Sequence, residues 1–180
     1  MTRNNNLDNV LRKYQTAFQA KIHIATTSLS DILMETFGIT DKMKDENKQY
    51  WGRELGKCWE GLVIEACKNL SNYQPALKIG ADEPCDLRIG NYAIDTKYRV
   101  GSGDSGTLKK FKEYGALLKS HGYIPVFLFL REDNLQAAMT ACKTGGWEIY
   151  TGDSSFEFIK NISGFDIKNY LISNINKFKI

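Results

Sequence analysis

Asp86, Asp95 and Lys97 are the residues of this chain whose types and spacing could do chemistry. They lie in the stretch Pro84 to Arg99, which reads PCDLRIGNYAIDTKYR. Polar and apolar residues alternate through Asp86–Ile89 and again through Tyr92–Tyr98. Gly90-Asn91 between them suits a two-residue type II′ turn, with Gly first. Pairing outward from that turn sets Ile89 against Tyr92, Arg88 against Ala93, Leu87 against Ile94 and Asp86 against Asp95. Directly opposed Cβ atoms lie roughly 4.5–5.5 Å apart, and like charges so placed destabilise a hairpin. A divalent cation would remove that penalty. Lys97, two residues after Asp95, projects from the same strand face. Hard oxygen ligands beside an ammonium suit Mg²⁺, which takes one or two carboxylates together with phosphate oxygens. The lysine could then orient or deprotonate an attacking water, or steady the charge of a phosphate.

The elements that must position this hairpin can be read on either side of it. A helix predicted over 47–69 puts Trp51, Leu55, Trp59, Leu62, Val63 and Ala66 on one apolar stripe. Glu60 lies at the edge of that stripe, one turn from Gly56, Val63 and Ile64, whereas Glu54 and Glu65 neighbour Lys57 and Lys68. An inward carboxylate needs a partner. An ordinary solvated helix glutamate is the alternative. A short strand is expected near Ala76–Ile79, upstream of the hairpin.

After the hairpin comes a loop of glycines and small hydroxyl residues, Val100 to Thr107, leading into a helix over Leu108–Ser120. Exposed amides and a helix N-terminus suit phosphate oxygens, so Ser102, Ser105 and Thr107 are candidate contacts. The order GxxxxGK[ST] is missing, so this is no Walker A loop. Lys109 opens the lysine face of the helix, and Arg99, two past Lys97, is the better single candidate for a phosphate. Tyr123–Leu130 is a continuous apolar run, as a strand buried on both faces requires. A helix over Asn134–Lys143, a strand over Trp147–Tyr150 and helices over Asp153–Ile162 and Asp166–Phe178 complete the expected order.

At Asp86 and Asp95-Thr96-Lys97 the sequence resembles the PD-(D/E)XK nuclease superfamily, and within it the small type II restriction endonucleases. One departure is visible. The first acid of that motif often follows proline directly, whereas Cys85 stands between Pro84 and Asp86, which leaves Glu83 open as a rival. The resemblance implies an α/β fold with a restriction-endonuclease-like αβββαβ core and a mixed central sheet flanked by helices. That core covers 47–130, with an N-terminal helical segment over 1–46 and a C-terminal strand and helices over 131–180. It further implies a third acid on the first core helix, best matched by Glu60, so that Asp86, Asp95 and Glu60 would bind Mg²⁺. The implied activity is site-specific hydrolysis of double-stranded DNA by a homodimer, with a cognate DNA methyltransferase in the same system. A junction resolvase or repair nuclease of the same superfamily is the runner-up. A non-catalytic DNA-binding subunit of the same fold is the reading from another class.

The composition is compatible with these expectations. The 180 residues are 42% hydrophobic and 25% charged, which suits a single soluble domain with a substantial core. A net charge of +3 permits a polyanionic partner without demanding one. Cys58, Cys67, Cys85 and Cys142 form no CxxC pair and read as reduced thiols of a cytoplasmic protein. No apolar run is long enough to span a membrane. His23 and His121 are far apart and belong to no motif, which removes an HNH-type site. The helical patches Leu7–Ala20 and Ser28–Phe37 are the least informative part of the chain. The resemblance implies a dimer interface or a DNA embrace for this segment, and packing on its own core is the alternative.

Overall fold

A computed structural model describes residues 30–180, apart from Ser102 and Asn176, and the patch expected at Leu7–Ala20 lies outside these residues. The first described helix, α1 (Ile32–Phe37), starts where the Asp31 carboxylate accepts the Leu33 and Met34 amides. A short α2 (Asp41–Glu46) follows, capped by Thr40. The helix expected over 47–69 forms as α3 (Lys48–Cys67). Asn47 caps it, and Leu55, Trp59, Val63 and Cys67 are buried along its stripe.

Three strands come next, β1 (Tyr73–Pro75), β2 (Leu87–Ile89) and β3 (Tyr92–Lys97). β1 lies upstream of the strand expected at Ala76–Ile79, where the only pairing is an isolated bridge from Ile79 to Asp82. The apolar residues that suggested a strand there serve a loop, with Leu77 packed against the core from outside the sheet. The hairpin turn forms as its residues dictate. Gly90 carries φ of 55° and no non-glycine residue described has a positive φ, the pattern of a turn whose first central residue alone is left-handed. The register is also as expected, pairing Leu87 with Ile94, Arg88 with Ala93 and Ile89 with Tyr92.

α4 (Ser105–Ser120) begins earlier than Leu108 because Asp104 caps it. β4 (Ile124–Phe129) runs parallel to β3 and is buried from Pro125 onward. Beyond it lie α5 (Gln136–Gly145), β5 (Glu148–Thr151), α6 (Asp153–Ser163) and α7 (Ile167–Ile172). α7 stops well short of Phe178. Only Ile167 and Leu171 of it are buried, and the later apolar residues Ile172, Phe178 and Ile180 are exposed, so no inward stripe sustains a longer helix.

The five strands form one mixed sheet in the order β1-β2-β3-β4-β5, antiparallel up to β3 and parallel from β3 onward. Helices cover both faces. One core joins Leu33, Trp59, Leu87, Ile94, Leu128 and Ile159, and the other joins Ala93, Phe111, Phe127, Phe129, Cys142 and Trp147. The second is drawn very tight. A Cβ at Gly115 of α4 would sit 2.4 Å from the Gly145 carbonyl oxygen of α5, so only glycine permits that helix contact. The Trp147 indole N–H donates to the Phe111 carbonyl at 2.7 Å across the same seam.

Candidate active site

The sheet ladder between β2 and β3 ends at Leu87 and Ile94, one rung before the acids. The Asp86 N–H donates to the Ile94 carbonyl at 2.9 Å, so Asp86 is not the simple rung opposite Asp95 that continued pairing predicts. Pro84 and Cys85 are buried, Cys85 in the second core, and this draws the incoming chain out of the ladder. The Thr96 amide is thereby left without a strand partner, and the Asp86 carboxylate takes it. Asp86 Oδ2 accepts the Thr96 N–H at 2.7 Å and the Thr96 hydroxyl at 2.7 Å.

Alternation along β3 divides the remaining groups. Ile94 and Tyr98 point into the core shared with α3, while Asp95 and Lys97 fall on the side of Ala93 and Phe127. Asp95 is 8% exposed, and the Lys97 ammonium stands 2.5 Å from its Oδ1 and 6.0 Å from the Phe127 ring centre. Burial pushes the Asp95 carboxyl up to about 7, with Lys97 opposing that rise and Asp86 and Glu60 adding to it. Burial alone would lower the Lys97 pKa. The charges of Asp95, Asp86 and Glu60 outweigh it, so the amine stays protonated above its usual range. The buried Cys142 thiol, pushed up to about 12, also feels the charge of Asp95.

Glu60 enters from α3, half-buried. Its carboxyl is raised first by burial and then by the negative charge of Asp86, with Lys97 acting the other way. Glu60, Asp86, Asp95 and Lys97 are therefore brought into one electrostatic neighbourhood from α3, the start of β2 and the end of β3. Glu83, the rival for the first acid, is exposed and pairs with Lys78 at 3.1 Å.

The donor set is all carboxylate oxygen, the set that Mg²⁺ takes. Among the described residues no three His, Cys, Asp or Glu side chains stand in a ready-made ion cage. Instead a cationic group already sits on Asp95, and the two bonds from Thr96 fall on a single oxygen of Asp86. Asp95, Asp86 and Glu60 are the side chains that would hold such an ion, with Lys97 at the place beside Asp95.

The sequence-predicted phosphate contacts are less uniform. β3 ends at Lys97, so its alternation no longer places Arg99. The Arg99 Nε–H instead lies 2.9 Å from both the carbonyl oxygen and Oδ2 of Asp133. Ser105 opens α4 and is exposed, but Thr107 gives its amide and hydroxyl to Asp104, both at 2.9 Å, so a side chain of the same loop caps the helix N-terminus. Lys109 is exposed and pairs with Glu113 at 3.5 Å. Ser102 lies outside the described residues, as does His23. His121 is exposed at the end of α4, its Nδ1 2.9 Å from the Leu117 carbonyl.

One cluster beside the site had no sequence signal. The Tyr98 hydroxyl donates to Asp31 and receives the Lys44 ammonium at 2.5 Å. Arg131 spans Asp31 at 3.1 Å and Asp133 at 2.7 Å, which connects this group to Arg99. Burial lowers the Lys44 pKa, and Arg131 deepens the shift. Four of these side chains are charges with no periodic pattern, and only the fold collects them. The cluster fixes the residue that follows Lys97.

An open groove lined by Asn72, Gly90, Tyr92 and Ile124 lies at the other end of β3 and β4, away from all of these groups. No protein-family model, curated protein or solved structure matches the chain. No described helix is long and apolar enough to cross a membrane.

Proposed function

We propose that this chain is a Mg²⁺-dependent endonuclease of the PD-(D/E)XK kind, built on an αβββαβ core, which cuts double-stranded DNA at a short recognition sequence as small type II restriction enzymes do. The observation that carries the reading is Asp95, buried and desolvated against the Lys97 ammonium and within the electrostatic reach of Asp86 and Glu60. A protein with no use for a cation would gain little from burying that acid beside two others. The order helix, three strands, helix, strand from α3 to β4 agrees with the proposed core.

Bound between Asp86, Asp95 and Glu60, Mg²⁺ would supply positive charge to a phosphoryl group as negative charge develops on it. The chain's own residues do the rest. Asp95, buried at the end of β3, would hold the ion together with Asp86 and Glu60 once its carboxyl is ionised. Lys97, which stands at Asp95 Oδ1, would orient or deprotonate the attacking water, or steady a phosphate oxygen. The exposed lysines of α4 attract the DNA backbone.

Digestion of a fully sequenced duplex DNA in Mg²⁺, with the ends mapped, tests this reading. Discrete, reproducible fragments support it. Cutting only at branches or mismatches moves the chain to the resolvase or repair class, and retained DNA binding in Mg²⁺ without any cleavage leaves a non-catalytic binder. Symmetric cutting of both strands calls for a homodimer, which sedimentation on the DNA site would detect. A restriction role would also require a DNA methyltransferase that protects the same site.

A further inference from the structure

We infer that Thr96, the residue between Asp95 and Lys97, is a positioning residue that aims the Asp86 carboxylate at the ion through its hydroxyl; this rests on the metal-dependent reading proposed above.

The need for such a residue follows from where the ladder stops. Asp86 lies beyond the last β2–β3 rung, so strand pairing does not fix its side chain. What fixes it is Thr96, whose amide and hydroxyl both reach Oδ2 at 2.7 Å. Two donors on one oxygen stop the carboxylate from rotating and give Oδ1 a defined direction. Thr96 is 5% exposed, so water cannot readily replace its hydroxyl. The alternation of β3 also explains the choice of residue. Asp95 and Lys97 project to one face and Thr96 to the other, the face on which α3 and Glu60 lie. Thr96 therefore holds Asp86 from the side opposite Asp95, while the charge of Asp86 is felt at both Glu60 and Asp95. A β-branched residue with a hydroxyl suits the place. The methyl keeps strand packing, and the hydroxyl orients an acid that itself touches the ion.

The test uses Thr96→Val, which keeps the shape and removes the donor, and Thr96→Ser, which keeps the donor and removes the methyl. Mn²⁺ alone is titrated into each metal-free, full-length protein and free ion is read by electron paramagnetic resonance, with Asp86→Asn as the control that locates the ion. Removing a group that orients a ligand weakens metal affinity on the order of 10–100-fold. That loss is expected for Thr96→Val, with affinity restored in Thr96→Ser. In cleavage, Thr96→Val should raise the Mg²⁺ concentration for half-maximal rate far more than it lowers the rate at saturating Mg²⁺. If Thr96→Val does not fold, as judged by urea unfolding, Thr96→Ala carries the same comparison. Equal affinity in wild type and Thr96→Val overturns the role of Thr96 alone. So does a loss in Thr96→Ser as large as in Thr96→Val. Wild-type protein that takes up no Mn²⁺ removes the metal-dependent reading, and this inference with it.

Discussion

The Lys97 ammonium lies 2.5 Å from Asp95 Oδ1 in a pair of unequal partners, for the lysine side chain is 38% exposed while the carboxylate is 11% exposed. The lysine can swing into solvent, whereas the acid cannot leave. Under the metal-dependent reading, a cation would take the place of Lys97 without either charge being stranded in the core.

Conservative variants of the two groups should separate. Asp86→Asn and Asp95→Asn should each reduce cleavage by about 10³-fold or more while leaving the protein folded, since each removes a charge without changing volume. Lys97→Ala should lose turnover by a similar factor but keep Mg²⁺-supported DNA binding. Glu60→Gln should lose less, ~10–100-fold, in keeping with a half-buried acid at the rim of the site. Single-turnover cleavage and gel-shift titration under saturating Mg²⁺ measure both quantities. Asp95→Asn or Lys97→Ala cutting at the wild-type rate would place the chemistry elsewhere.

In metal-free buffer, Asp95 should make stability fall as pH rises. Its carboxyl stands at about 7 when folded and 3.8 by default, so between these values the folded state holds a proton that the unfolded state lacks. Stability therefore declines through that window and levels off above about pH 7. Asp95→Asn escapes the loss and should exceed wild type by ~1–3 kcal/mol at pH 8, less what Lys97 forfeits, with the gap closing near pH 4. Urea unfolding at the two pH values reads this difference. Saturating Mg²⁺ should narrow or reverse the order at pH 8, because only wild type gains from binding.

Binding to DNA should report Arg99 and Lys109 separately. Each is held by an acid, Asp133 or Glu113, so each must exchange that partner for a phosphate. Replacing either by alanine should lower the salt slope of binding by about one counterion. Unchanged slopes for both variants would remove them from the DNA-facing surface.

Tyr98→Phe should destabilise the protein by ~1–3 kcal/mol, because it takes one hydroxyl from between Lys44 and Asp31 in a buried setting. The urea midpoint should fall with little change in slope. A variant as stable as wild type would mean that these charges are satisfied without Tyr98.

Features held by neighbours along the chain are legible in the amino-acid sequence. The Gly90-Asn91 turn and the alternation on either side of it set three rungs of register, and the stripe of α3 places Glu60 at its inner edge. Beyond the third rung simple pairing fails, because buried Pro84-Cys85 pulls Asp86 off the ladder and local alternation carries no sign of that pull. β1 is displaced from its expected place for a related reason. It is three residues long with Gln74 and Pro75 exposed, so burial leaves no periodic trace. The Tyr98 cluster is illegible for want of proximity, since its contacts to Lys44 and Asp31 span 54 and 67 residues.

The mixed sheet also has a consequence in time. β3 pairs with β2 through a two-residue turn, a closure of ~1–10 μs, but reaches β4 only after α4 has crossed over, a slower and more costly closure. The hairpin can thus bring Asp86 and Thr96 together while both are still hydrated, and Asp95 loses its water when β4 delivers Phe127. Docking of β4 is then the step that feels the ionisation of Asp95. Metal-free refolding followed by stopped flow should slow as pH rises toward about 7, then become independent of pH. A rate without pH dependence would put desolvation of Asp95 after the rate-limiting barrier.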